Sequence, residues 1–90
     1  MGNYQKAAEY YNRHLSIAQK LGDKVGEGRA YWMLSNVFSN WGQLKKALEF
    51  AHKFYELATE MEDAVATAAA KMMINDIGRL EFLLDINFGH

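Results

Sequence analysis

The 90-residue chain has no cysteine and no proline. The lack of cysteine rules out a disulfide framework, a thiolate metal site and a thiol nucleophile, and leaves the redox compartment unconstrained. The lack of proline fits long uninterrupted helices, because each interior proline would cost about 3 kcal/mol. An excess of one charge is also missing. The formal charge is −1, too little to attract nucleic acid or an anionic membrane through a global field. No apolar run approaches the ~18–20 residues of a membrane span. The opening MGNYQK is polar, unlike a signal peptide, so a cytoplasmic chain without a membrane span is expected. What is present is half apolar and 23% charged, the balance of one folded domain over residues 1–90 rather than of a disordered segment.

Charge is distributed less evenly than its total suggests. Residues 1–45 hold six cations and three anions, for +3, while residues 46–90 hold four cations and eight anions, for −4. A basic front and an acidic back can favour head-to-tail contact, although ordinary scatter on solvated helix faces explains the same numbers.

Sliding the sequence against itself by forty positions uncovers a repeat. Residues 2–23, GNYQKAAEYYNRHLSIAQKLGD, lie over residues 42–63, GQLKKALEFAHKFYELATEMED. Gly2/Gly42, Lys6/Lys46, Ala7/Ala47, Glu9/Glu49, Ala18/Ala58 and Asp23/Asp63 are identical, and the match continues through Val25/Val65, Ala30/Ala70 and Met33/Met73. A period of this length denotes stacked repeats. Within each half-period the apolar residues recur at helical steps. Tyr4, Ala7, Ala8, Tyr11, Leu15, Ala18 and Leu21 form one stripe, and Ala30, Tyr31, Leu34, Val37, Phe38 and Trp41 form the next. Gly22 suits a left-handed C-cap, Asp23 and Asp63 suit N-caps, and Gly42 suits a tight turn. The expectation is an all-α chain of about four helices, near residues 3–21, 24–41, 44–61 and 64–85, joined as antiparallel hairpins.

The segment AYWMLSNVFSNWGQLKKALEFAHKFYEL, residues 30–57, resembles a tetratricopeptide repeat, with Tyr31, Leu34, Ser35, Phe38, Gly42 and Ala47 at the matching positions. The forty-residue spacing and the wording GDKVGEGRA followed by LSN are similar to the Pins/LGN spindle-orientation adaptors, the G-protein-signalling modulator type of array. Ser35 stands where that type has the Gly of L-G-N, Met33 replaces an Asn, and the third copy loses the pattern early. The resemblance implies a TPR-like α-solenoid fragment whose second and fourth helices line a concave groove that binds an extended peptide. Carried onto this chain, the groove residues are Arg29, Trp32, Met33, Asn36, Ser39 and Asn40 on the second helix, and Met72, Met73, Asp76 and Arg79 on the fourth. Helical spacing independently puts the first set on one face, opposite Tyr31, Leu34 and Phe38. Arg29 offers a planar fork to a carboxylate, and Asn36 can donate to and accept from a peptide backbone. Equally, Asn36 can bond within the array and Arg29 can pair with Glu27. An exposed Trp32 is either an interface anchor or a residue covered by a neighbouring helix.

Chemistry-bearing constellations are thin. His14, His52 and His90 fall on separate segments without ligand spacing, no serine sits in a nucleophile elbow, and Gly22, Gly26 and Gly28 lack the Lys-Ser/Thr of a phosphate loop. No enzyme, metal or cofactor is expected, and cations do not interleave with aromatics as a nucleic-acid binder requires. The last helix is distinctive. Ala66, Ala70, Met73, Ile77, Leu80 and Leu84 follow a 4-3-4-3-4 step, the seam of a helix that wants a partner. Phe82, Leu83, Ile86 and Phe88 add apolar bulk. Because repeat units bury their faces on neighbours, homodimerisation is expected through Met73, Ile77, Leu80, Phe82, Leu83 and Leu84, either by packing of the last helix on its symmetry mate or by swapping it between chains, with a helix folded back over the groove as the alternative.

Overall fold

The computed structural model describes residues 2–87, with side chains through residue 85. The expectations attached to the Ile86 side chain, Phe88 and His90 lie outside the described residues. Four helices follow in order: α1 (Tyr4–Leu21), α2 (Lys24–Asn40), α3 (Leu44–Glu60) and α4 (Ala64–Asn87). There is no strand among the described residues.

The three connections are built alike, and their local chemistry sets the antiparallel reversals. After α1 the Gly22 N–H donates to Gln19 O at 3.2 Å and the Asp23 N–H to Ala18 O at 2.9 Å. These two bonds satisfy carbonyls that the helix end would leave orphaned. Gly42 and Gln43 repeat the pair onto Ser39 and Phe38, and Glu62 and Asp63 repeat it onto Thr59 and Ala58. The residue in the left-handed region is Gly22 (φ 69°), Gly42 (φ 82°) and Glu62 (φ 57°). N-caps stand at the same interval. Asn3 accepts from the Lys6 N–H, Asp23 from the Gly26 N–H and Asp63 from the Ala66 N–H, all at 3.0–3.1 Å. Gln43 occupies the fourth such position and makes no side-chain cap bond. Caps at 3, 23, 43 and 63 reveal a period of twenty beneath the period of forty.

Each helix packs chiefly on its chain neighbours, α1 on α2, α2 on α3 and α3 on α4. The result is a slab of 45 × 30 × 18 Å. The core gathers Ala8 of α1, Leu34, Val37 and Phe38 of α2, Ala47 and Ala51 of α3, and Ile77 of α4. Alanine at the α1 and α3 positions lets backbones approach, and Leu34 fills the centre with no exposed surface. Aromatic rings tie three helices together: Phe38 stacks on Phe50 and on Trp41, each at 5.7 Å between centroids, and Tyr4 and Tyr31 flank the series at 6.3 Å. The buried Ser35 hydroxyl donates to Ala47 O at 2.9 Å, which binds the start of α3 to the middle of α2.

One member of the expected α1 stripe does not join the core. Leu21 is 76% exposed, along with Tyr10 and Ile17. These three share a face of α1 about 100° around the helix from Ala8, Tyr11 and Ala18, and α2 covers only the latter.

Candidate functional site

α2 and α4 both pack beside α3, and their facing sides leave a groove. At the end where both helices begin, Val25, Gly28, Arg29 and Trp32 of α2, Phe54, Leu57 and Ala58 of α3 with Met61 just beyond it, and Ala66 of α4 surround a cavity of about 190 Å³. It opens there because Gly28 carries no side chain. A Cβ at that position would lie 3.5 Å from Leu57 Cδ2 and 3.7 Å from Phe54 Cε1. The walls are apolar, with Lys24, Arg29 and Asp63 at the margin. A cavity of about 150 Å³ suffices to enclose a benzene ring, so this cup has room for a large apolar side chain. Two helical turns further along α2, a second hollow of about 190 Å³ lies between Asn36 and Ser39 of α2 and Met73, Asp76, Ile77 and Leu80 of α4.

The expected groove residues divide accordingly. Arg29 is exposed and Trp32 is 44% exposed, both at the rim of the apolar cup. Asn36, Ser39, Met73 and Asp76 meet around the second hollow. Met33 is half-buried and Asn40, Met72 and Arg79 are exposed, but they line neither hollow. Glu27 is not free for Arg29, because it pairs with Lys24 at 3.7 Å and accepts from the Tyr31 hydroxyl at 2.9 Å. No ion pair or side-chain hydrogen bond of Arg29 or Asn36 forms among the described residues. Sequence reasoning missed Val25, Phe54, Leu57 and Met61. The signal for them was Gly28, a small residue in mid-helix whose empty side must face something.

Tyr31 stands behind the groove. It is buried, donates to Glu27 and accepts from the Gln19 amide at 3.4 Å. Burial raises its phenol pKa above the usual value. The bond to the Glu27 carboxylate and that group's charge raise it further, while the Gln19 hydrogen bond acts in the opposite direction.

The expected self-association residues separate into two groups. Ile77 is 4% exposed inside the chain's own core, and Met73 packs against that core. Ile77 is spent on intramolecular packing, while Met73 stays half-buried at the edge of the second hollow. Leu80, Phe82, Leu83 and Leu84 are 44–63% exposed. They belong to the last turns of a 24-residue helix that outruns the 17-residue α3.

No helix of the described residues is long and apolar enough to cross a membrane, and no group of three or more His, Asp or Glu that could hold a metal ion occurs among them. Antiparallel helices repeated at fixed intervals, with an open groove between alternate members, define a protein-interaction repeat scaffold. The tetratricopeptide repeat model matches residues 1–60 of this chain, and the chain belongs to that family. It is similar to G-protein-signaling modulator 1 of Homo sapiens, 43% identical over 42 residues. The proteins of the same name from Mus musculus and Rattus norvegicus are 46% identical over 42 residues. Each match covers 47% of this chain and 6% of the relative.

Proposed function

We propose that the chain is an adaptor segment whose α2–α4 groove binds an extended acidic peptide. The apolar cup takes one large side chain of the peptide, Arg29 at its rim pairs with a neighbouring carboxylate, and Asn36 bonds the peptide backbone one hollow further on. Ser39 and Asp76 line that hollow and contact the continuing strand, while Met33, Asn40, Met72 and Arg79 form the outer margins. The observation that carries this reading is the cup itself, an apolar cavity beside an exposed Trp and an uncommitted Arg. A planar guanidinium beside a desolvated pocket is the usual composition of a binding hot spot. A cytoplasmic location belongs to the same reading, supported by relatives whose name ties them to G-protein signaling.

The test is a titration, followed by Trp fluorescence and calorimetry, with a dodecapeptide of Glu and Ser residues carrying one central Leu. Binding is expected to weaken about tenfold in Arg29→Ala, in line with roughly 1.4 kcal/mol for a charge-assisted hydrogen bond. A peptide with Lys for Glu is expected not to bind. Equal affinity of wild type and Arg29→Ala removes Arg29 from the site.

A second reading, self-association engaging α4, is favoured by the exposure of Leu80, Phe82, Leu83 and Leu84 on one helix end. Ile77 takes no part in it, because the monomer already buries that side chain, whereas Met73 is half-buried and borders the groove.

A further inference from the structure

We propose that the face of α1 turned away from α2 docks on the outer face of α4 of a second copy, so that chains stack head to tail. The proposal rests on the self-association reading and names a different surface of α4, one that includes the exposed Phe82 but not Leu80, Leu83 or Leu84.

The chain forms this interface once within itself. α3 lays Phe50 and Leu57 on α2: the Phe50 ring is 6.3 Å from Tyr31 and 5.7 Å from Phe38, and Leu57 lies against Gly28. Forty residues before Phe50, Leu57 and Met61 stand Tyr10, Ile17 and Leu21, on the same relative face of α1, 61%, 51% and 76% exposed. No described helix covers them. Forty residues after Gly28, Tyr31, Ser35 and Phe38 stand Ala68, Lys71, Asn75 and Gly78. The first three are exposed, and a Cβ at Gly78 would meet nothing within 4 Å. Both halves of a known contact are thus displayed, one at each end of the slab.

The substitutions between copies suit each other. Ala68 replaces Gly28 and keeps the close approach. Gly78 replaces Phe38 and leaves room for the Tyr10 ring. Lys71 replaces Tyr31, which places an ammonium against that ring in a cation–π contact. Asn75 replaces Ser35, whose hydroxyl donates to Ala47 O, and so presents an amide N–H towards the carbonyl of Ala7, the counterpart of Ala47. Charge agrees with this register. Lys6 of α1 is brought to the α4 end that carries Glu81 and Asp85, and the front half of the chain is +3 against −4 in the back half. An interface between two different faces is heterologous, and copies stacked in the way α3 follows α2 extend the array rather than pair off, so they form a series of oligomers rather than a dimer.

Sedimentation velocity of the chain from micromolar to millimolar, at low and high salt, tests this. The expected result is a weight-average mass that rises continuously past the dimer and falls with salt. Ile17→Glu on the front and Gly78→Arg on the back change exposed or open positions, and each alone is expected to leave a monomer. An equimolar mixture of the two is expected to form a one-to-one dimer and nothing larger, because only one competent front and one competent back remain. A discrete dimer that survives Ile17→Glu overturns the head-to-tail proposal but leaves α4-mediated self-association standing. A wild-type monomer throughout overturns both.

Discussion

Glu62 is the residue where the local chemistry of the fold is least satisfied. It occupies the left-handed position after α3, with φ at 57°, where the two preceding connections place Gly22 and Gly42. An L-residue in that region loses about 1–2 kcal/mol to the contact between Cβ and the following carbonyl. Replacing Glu62 with Gly removes that strain but gives the unfolded chain more freedom, an offset of about 0.4–1 kcal/mol. The net expectation is stabilisation by roughly 0.5–1 kcal/mol. The charge removed lies between the end of α3 and the start of α4, so its interactions with the two helix dipoles are opposed and nearly cancel. Two-state melts of a domain this size move about 4–8 °C per kcal/mol. Glu62→Gly should therefore melt about 2–8 °C higher by helical circular dichroism, with an unchanged urea m-value. Gly22→Glu, the reverse exchange forty residues earlier, should fall by a similar amount. The reasoning is refuted if Glu62→Gly melts at or below wild type while its helix content and m-value are unaltered. In that case the φ of 57° carries no strain worth relieving.

Gln43 is the one N-cap position without a side-chain bond, so Gln43→Asp should add the bond that Asp23 and Asp63 make and raise stability by about 0.5–1 kcal/mol in urea titration. Gly28→Ala introduces a methyl at ordinary contact distance, 3.5 Å from Leu57. It should stabilise α2 by up to about 1 kcal/mol through helix propensity, while narrowing the cup and weakening peptide binding by calorimetry. The Tyr31 phenol is raised above its ordinary value by burial and by Glu27, so the fold favours its protonated form. Its contribution is complete below the phenol's unfolded pKa and is lost as pH rises through the higher folded value. Ionisation of Tyr31 should come late in an ultraviolet titration, and unfolding should become easier in that alkaline window. Tyr31→Phe should abolish both effects.

The forty-residue period and the apolar steps within it were legible because identical small and apolar residues recur in register, such as Ala7/Ala47 and Ala18/Ala58. The turns at Gly22–Asp23 and Gly42 were legible for the same reason. The twenty-residue spacing of caps was not, since Asn3, Asp23, Gln43 and Asp63 share a backbone role without a shared side chain, and nothing in a Glu announces a left-handed conformation. Periodicity tells which residues share a helix face but not which helix covers that face. This is why Leu21 read as core and is exposed, and why Ile77 read as a contact for another chain and is buried in its own. The groove was half legible. Arg29, Trp32, Asn36 and Asp76 came from the family resemblance, with helical spacing supporting only the first three as one face, whereas the cup needs Phe54 and Leu57 of α3, brought there by a turn whose angle the residue pattern does not state.

Nearest-neighbour packing also has a kinetic consequence. Every major helix contact joins elements adjacent in the chain, so no segment must find a distant partner before its burial begins to help. Helical proteins with such local topology cross their folding barrier in microseconds to milliseconds. No X-Pro bond exists to isomerise, which removes the phase of tens of seconds that commonly trails refolding. The chain should regain its structure in one fast step, with α1–α2 and α3–α4 each able to form as soon as its own few dozen residues are available.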